Sequence, residues 1–529
     1  MDGLGGSTIR KRVWLRIAVA LLAVVVVLAV VAVVAIRRAG PILKGRITET
    51  LSARLQGRVE LGDLDVFVLR GLEVSGERLL IYAPGASEPL ITVDHFSFHS
   101  GLLGLFQRPM HVGTVQVTGL RIYIPPREAR QEGAGNAAAH FGRIRMMVDE
   151  FVCRESELII GTSTPDKDPK RFVLKQIELH DVGPNAPWRY DARLTNAIPK
   201  GEIHAVGTFG PWRNGSPGDS AVTGHYTFDH ADLNTIRGIG GMLSSTGDFQ
   251  GQLNRIVVDG TTETPDFSLD TANRPVPLHT RFHAIVDGIT GDTYLEPVNA
   301  TLRGSSFTTR GAVVNHKGRG HTIDLDIDIP LGRIQDFLEL AVNTRPPVLT
   351  GDVNMRAKLH IRPGKERVAE KLSVRGKFGL TKIHFTNPQV QDKVDMLSLR
   401  ARGEPKMAKP GAEDVSSRMK GAFSLDRGEM QFSGLVYDLP GAQVSLNGNY
   451  SMDGEEFDFR GKIDTEASLS QMVDSRWLSL VLKAVPLFHR KGGGAEIPVS
   501  ITGTKSEPKF GLDVFKRHAD REEQMRVAR

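Results

Sequence analysis

Apolar and polar residues alternate along most of this chain, with the period of two that puts one set of side chains on each face of a β-strand. The clearest run is Thr322 to Ile329. Ile323, Leu325, Ile327 and Ile329 fall on one face, and Thr322, Asp324, Asp326 and Asp328 on the other. Toward the C-terminus the pattern predicts strands over Ala422–Leu425, Leu435–Tyr437 and Gln443–Leu446, the last carrying Val444 and Leu446 on one face. Phe457 and Phe459, flanking Asp458, predict another. Gly421, Gly434, Gly448 and Gly461 are spaced 13, 14 and 13 residues apart, the rhythm of strand plus turn in a meander of hairpins. Asp453-Gly454 has the chemistry of a tight hairpin turn.

The same grammar holds near the front. Phe96 and Phe98 alternate with polar neighbours, as do Val115 and Val117. After Gly119 the apolar parity shifts to Leu120, Ile122 and Ile124, which predicts a bulge or tight turn at that glycine. Helical periodicity is confined to residues 42–55, 331–341 and 468–487. The third of these reads as a buried packing helix, with a cap on the end of the β body or a membrane contact as the alternatives. A weak repeat runs from Phe228 through Leu233 and Ile236 to Thr246-Gly247-Asp248, and again from Ile329 through Leu331, Ile334 and Phe337 to Thr350-Gly351-Asp352. A looser copy follows Ile463. Each predicts a strand, a short amphipathic helix and a new strand, which points to stacked β architecture.

One segment departs from this style. Ile17 to Ile36 is an unbroken run of twenty apolar residues, about 30 Å of helix and enough to cross a bilayer. The run is too long for the core of a cleaved signal, and Ile36-Arg37-Arg38 is a poor cleavage site, so it predicts a retained anchor. Four basic residues precede it (Arg10, Lys11, Arg12, Arg16) and five follow within the next turns (Arg37, Arg38, Lys44, Arg46, Arg54), so charge bias alone does not orient it. The short leader and long body favour tail inside and body outside.

Composition sharpens this only in places. The 56 glycines and 28 prolines suit many short strands joined by turns. Net charge is +6, from 67 basic and 61 acidic residues, and the residues flanking the apolar run outnumber the whole surplus. The basic balance therefore carries no argument for nucleic acid. The single cysteine, Cys153, can form neither an internal disulfide nor a metal cage and reads as a small, partly buried side chain.

No reactive centre emerges. HExxH, CxxC, GxSxG and a complete phosphate loop are all missing. Gly503-Thr504-Lys505-Ser506 has only the tail of a phosphate loop, and Gly238-Ile239-Gly240-Gly241 is an isolated glycine-rich turn. Asp324, Asp326 and Asp328 lack the loop geometry of a calcium site and read as the wet face of a half-buried strand. His95, His99 and His111 have only Asp94 as a nearby carboxylate and read as surface or core histidines.

The order of segments resembles the AsmA-like family of bacterial envelope proteins. The resemblance is carried by the anchor, a short helix through Leu51 and Leu55, and Gly57-Arg58-Val59-Glu60-Leu61-Gly62-Asp63-Leu64. It continues through Pro89–Val93, Phe96-Ser97-Phe98, Leu102–Phe106 and Val112–Ile124, and ends in Ile497–Thr504 with Pro508-Lys509-Phe510. These two ends cover roughly 200 residues, and the middle matches only in style. The resemblance implies a single-pass bacterial inner-membrane protein with its body in the periplasm. It implies a mainly β fold: an elongated, twisted antiparallel sheet, groove- or taco-like, with a few short helices. It implies phospholipid transport to the outer membrane, or outer-membrane biogenesis, with phospholipid, the inner membrane and outer-membrane or periplasmic proteins as partners. No catalytic residue, metal or cofactor comes with it.

These readings divide the chain into a cytoplasmic tail and anchor (1–40), an AsmA-like segment (41–130), an elongated β-groove body (131–515) and a charged tail (516–529). The expected acyl-chain groove residues are Val115, Val117, Ile122, Ile124, Ile323, Leu325, Ile327, Ile329, Val444, Leu446, Phe457 and Phe459. About 25–30 stacked strands at about 4.8 Å would give such a groove a reach on the order of 120–145 Å. Periodicity by itself fits the filled core of a β-sandwich equally well. The alternative function is a non-enzymatic, membrane-tethered scaffold that assists envelope protein assembly. A polysaccharide-processing enzyme would need converging carboxylates that the sequence does not place.

Overall fold

The computed structural model describes residues 58–68, 71–82, 88–101, 110–124, 146–160, 170–183, 186–211, 217–288, 290–316, 319–343, 345–451, 456–474, 493–504 and 507–512. The expected anchor, the helix at 42–55, the Asp453-Gly454 turn and the charged tail lie outside these residues. Among the described residues no helix is long and apolar enough to cross a membrane.

Alternation dictates strands, and strands dominate. The N-terminal block contains β1 (Val59–Leu61), β2 (Leu64–Val68), β3 (Leu72–Tyr82), β4 (Pro89–Ser100), β5 (Met110–Thr118), β6 (Arg121–Ile124) and β7 (Met146–Ile160). The middle block contains β8 (Lys170–Val182), β9 (Trp188–Ala197), β10 (Lys200–Phe209), β11 (Ala221–Asp232), β12 (Ile239–Gly240), β13 (Met242–Gln252), β14 (Arg255–Leu269), β15 (Val276–Val286), β16 (Thr293–Leu302) and β17 (Ser305–His316). The C-terminal block contains β18 (Gly320–Arg333), β19 (Leu349–Ile361), β20 (Leu372–Phe385), β21 (Ser417–Asp426), β22 (Glu429–Leu439), β23 (Ala442–Ser451), β24 (Glu456–Thr465), β25 (Ala495–Thr504) and β26 (Pro508–Leu512).

These strands form one long, twisted sheet, in which the two-residue β12 pairs only with the end of β14. β1 and β2 share one position beside β3, and β5 and β6 share another beside β4, so the other 25 strands occupy 23 successive positions. At about 4.8 Å per step the sheet extends roughly 105 Å across its strands, short of the reach expected from the sequence. From β7 onward, β12 apart, each strand pairs antiparallel with the next, as a meander in which β11 pairs with β13. The expectation of a wholly antiparallel sheet is corrected at one junction: β5 and β6 both pair with β7 in parallel. Residues 125–145 separate β6 from β7, and a parallel return needs a long connection of this kind. The sheet continues across this junction, where the sequence suggested a segment border at 130.

Gly119 behaves as its parity shift predicts. With φ at +69° it separates β5 from β6, a conformation that glycine adopts without a Cβ penalty.

Helices occur where the chain leaves the strands for longer. Helix α1 (Ile334–Ala341) lies within the predicted 331–341. Helix α2 (Val368–Lys371) is a single turn, and helix α3 (Pro388–Ala401) has no counterpart in the sequence reading. In α3 the Asn387 side chain accepts from the Gln389 N–H and Pro388 occupies the first turn, both strong helix-start signals. In the predicted repeat, the first copy has only a 3-10 turn (Leu233–Thr235) where the second has α1. The predicted helix at 468–487 is not seen where it can be checked: residues 468–474 form turns and bends.

Helices α1 and α3 roof one margin of the C-terminal block. Ile329, Val353, Leu380, Ile383, Val415, Leu435, Tyr437, Leu439, Val444 and Leu446 form a buried cluster, against which Ile334 and Phe337 of α1 and Val394 and Leu397 of α3 pack. Phe337 meets Phe307 edge-on at 6.2 Å. Asp336, only 2% exposed, anchors α1. It accepts from Ser305 Oγ at 2.7 Å and from Arg333 Nε at 3.0 Å. On α3, Ser398 Oγ donates to the Pro440 carbonyl at 2.8 Å, and Asp395 accepts from the Val415 N–H at 3.1 Å.

Candidate functional site: an apolar trough on one face of the sheet

Residues directly opposite in a ladder share a face, so the register traces that face through the molecule. One row of partners runs Val74, Phe98, Val115, Phe151, Leu179, Tyr190, Gly207, Gly224, Phe249 and Val258. It continues through Ala284, Leu295, Gly311, Leu325, Leu359, Val374, Leu425, Met430, Tyr450, Phe457 and Gly503. No charged side chain interrupts it from β3 to β25. The adjacent row passes through Val117, Cys153, Tyr226, Phe282, Val298, Ile327, Phe423, Phe432 and Phe459, with glycines between many of the rings. At Gly260 an added Cβ would stand 2.8 Å from the Phe282 ring, and at Gly376 2.9 Å from Phe423. Glycine there leaves the floor of the face to the neighbouring ring.

All twelve residues singled out in the sequence lie on this one face. Their surroundings differ. Val115, Val117 and Ile122 are buried in the N-terminal block, and Ile329, Val444 and Leu446 in the helix-roofed cluster. Ile323, Leu325, Ile327, Phe457 and Phe459 are half-buried. Ile124 keeps the register opposite Ile160.

An open stretch of the face lies in the middle block. A trough of about 580 Å³ crosses β11 to β16. It is lined by Tyr226, Phe249, Ile256, Val258, Thr280, Phe282, Ala284, Val286, Thr293, Leu295 and Val298, none of which the sequence reading selected. These residues come from five adjacent ladder positions, so the trough is about 19 Å long across the strands.

Several polar groups near the trough pair within the protein, while the buried Thr309 Oγ1, opposite Val298, finds no hydrogen-bond partner among the described residues. Tyr226 OH and Ser245 Oγ are 2.9 Å apart, and Ser245 Oγ donates to the Thr261 carbonyl at 3.0 Å. Thr262 and Thr280 join hydroxyls at 2.6 Å. Burial pushes the Tyr226 phenol above its ordinary pKa, against the opposing hydrogen bond from Ser245. Burial also pushes Tyr190, on the same face, up to about 12. Both rings are therefore neutral at physiological pH, and the trough carries no charge. Such a lining offers dispersion contact and water exclusion and makes no demand for a polar ligand.

The opposite face is wet and paired. Asp324, Asp326 and Asp328 each meet a base on β19: His360 at 2.6 Å, Lys358 at 3.1 Å and Arg356 at 3.3 Å. This agrees with their reading as a solvated strand face and adds a rung-by-rung ion ladder. His225 pairs with Asp248, His283 with Asp259 and His279 with Glu263. Cys153 is buried and lies 3.0 Å from Ser156 Oγ; burial raises its pKa, which makes it a poor nucleophile. His95 faces Glu77 at 3.5 Å. Among the described residues no group of three His, Cys, Asp or Glu is placed to hold a metal ion.

The geometry thus stands alone as a guide to function, because no family model, curated protein or solved structure matches this chain.

Proposed function

We propose that this chain binds the acyl chains of phospholipids along the apolar face of its sheet, with the middle trough as the principal seat. The observation that supports the reading most directly is an unfilled, uncharged trough of about 580 Å³ set within an uninterrupted apolar face. Each methylene removed from water is stabilised by about 0.8 kcal/mol. A leaflet is about 15 Å deep, half of a hydrocarbon core of about 30 Å, so a trough about 19 Å long takes one chain along its length. A lipid leaving a membrane exposes its chains, and a surface of this kind lowers that penalty. The open side leaves a headgroup in water.

In this reading the apolar run at 17–36 tethers the chain to the bacterial inner membrane, the sheet stands in the periplasm, and the role is that implied by the AsmA-like resemblance: phospholipid movement toward the outer membrane, or outer-membrane biogenesis. It assigns no reaction. Neighbouring residues on opposite faces provide the test. A photoreactive amino acid at Leu295, inside the trough, is expected to give a phospholipid adduct by mass spectrometry of the full chain in its membrane, and the same probe at Tyr294, on the outer face, is not. Equal labelling at both positions, or none at Leu295, sinks the reading. The tethered-scaffold alternative instead predicts protein adducts at Tyr294 and an unlabelled Leu295.

A further inference from the structure

On most of the outer face, charges are matched across neighbouring strands, as in the three rungs between β18 and β19. The balance changes at β20 and β21. Arg375 and Lys377 on β20, and Lys420 and Arg418 on β21, are all exposed and belong to no ion pair among the described residues. Register sets their order. Lys377 stands opposite Ala422, Lys420 opposite Gly379, and Arg418 lies two residues beyond Lys420. The four cations therefore advance in steps of about 7 Å along the strand direction and span roughly 20 Å. Toward β22 most neighbours are small or uncharged (Ala422, Ser424, Ser433 and Gln431), and toward β19 Arg375 and Lys377 stand opposite Lys358 and Arg356, whose charges are taken up by Asp326 and Asp328. Asp438, opposite Arg418, is the nearest acid in the ladder, and it accepts from Gln443 at 2.7 Å.

We propose that Arg375, Lys377, Lys420 and Arg418 form a docking stripe for an anionic phospholipid surface. The stripe is linear and exposed, and a lipid surface presents negative charge in two dimensions where a compact anion presents it at one point. The proposal rests on the reading of the opposite face as an acyl-chain seat, because a body that takes up lipid has to meet a membrane. Cations held near an anionic surface act almost independently, and each one neutralised lowers binding by about fivefold.

The test uses the full chain in phosphatidylcholine proteoliposomes, offered a second set of vesicles. Tethering, read by light scattering, is expected with vesicles of phosphatidylcholine and phosphatidylglycerol in equal parts, is expected to weaken as salt rises, and is expected to be absent with phosphatidylcholine alone. The quadruple variant R375Q/K377Q/R418Q/K420Q should tether roughly 10²–10³-fold more weakly. Asp438→Asn, which removes the neighbouring acid, should tether more strongly. Unchanged tethering by the quadruple variant, or equal tethering of neutral vesicles, overturns the proposal. Binding of soluble poly-glutamate without vesicle tethering also overturns it, in favour of an acidic protein partner. The photoadduct at Leu295 keeps the two readings apart. Its survival in the quadruple variant leaves the trough intact as a lipid seat, whereas tethering without any adduct at Leu295 would remove the trough and leave the stripe.

Discussion

The middle block and the helix-roofed margin of the C-terminal block carry the same apolar rows on the same sheet face, yet one is open and the other is filled. The difference lies in the connections. In the C-terminal block β18 and β19 are joined through α1, and β20 and β21 through residues 386–416, which include α3. Those excursions fold back and lay Phe337, Val394 and Leu397 over the face. In the middle block β13 and β14 are joined by residues 253–254, and β16 and β17 by 303–304. A two-residue turn has nothing to fold back. A strand pattern thus makes an apolar face, and the loops at its ends decide whether that face becomes core or binding surface.

The largest effect expected from this contrast is in the filled block. Ile383→Ala removes a fully buried side chain and should destabilise the region by about 2–5 kcal/mol, read as a fall in the urea midpoint of proteolytic cleavage. Asp336→Ala takes away the anion that holds α1 against Ser305 and Arg333 and should cost about 2–3 kcal/mol by the same measurement. Leu295→Ala, in the half-open trough, should cost only about 1 kcal/mol. If it cost as much as Ile383→Ala, the trough would be ordinary core and the contrast would fail.

A pH titration sharpens the picture of the middle block. The folded state raises Tyr190 to about 12 and raises Tyr226 as well, so both rings bind their protons more tightly there than in the unfolded chain. The stability they contribute is fully present below the unfolded value of about 10 and is lost as pH rises through the folded value. Hydrogen exchange should show the middle block loosening between about pH 10 and 12 while the helix-roofed margin outlasts it, apart from Tyr437, also raised mainly by burial. The smallest effect belongs to the outer ladder. Asp326→Asn removes a highly exposed ion pair with Lys358 and should change stability by less than about 1 kcal/mol, and by less still in high salt.

Much of the architecture was legible in the sequence. Strict alternation at Thr322–Ile329 located β18, the parity shift at Gly119 located the β5–β6 break, and the 331–341 periodicity located α1. The trough was not legible, for a physical reason. On β16 a register shift between Leu295 and Val298 places apolar side chains at 295, 298 and 300, so the alternation that marks a strand is broken where the strand is bulged. On β14, Ile256, Val257 and Val258 run together and hide which of them face inward. The cleanest patterns drew attention to residues such as Ile329, Val444 and Leu446, which the chain itself covers. Helix α3 escaped because its apolar residues, among them Val390, Val394, Met396, Leu397 and Leu399, are diluted by polar ones, although Asn387-Pro388 announced its start. The regular glycines read as turn markers lie inside strands, where Gly421 makes room for Leu435 and Gly448 for Phe459. The parallel return to β7 depends on pairing between residues some 36 apart, which local periodicity does not report.

Serial antiparallel pairing from β7 to β26 makes the hairpin the natural increment of this molecule. Deleting or duplicating two consecutive strands preserves chain direction and inward parity, and changes the span by about 9.6 Å without asking any distant residue to adjust. Evolution can therefore tune the length of such a protein in discrete steps, and an engineered version missing a single strand should fail where one missing a pair survives.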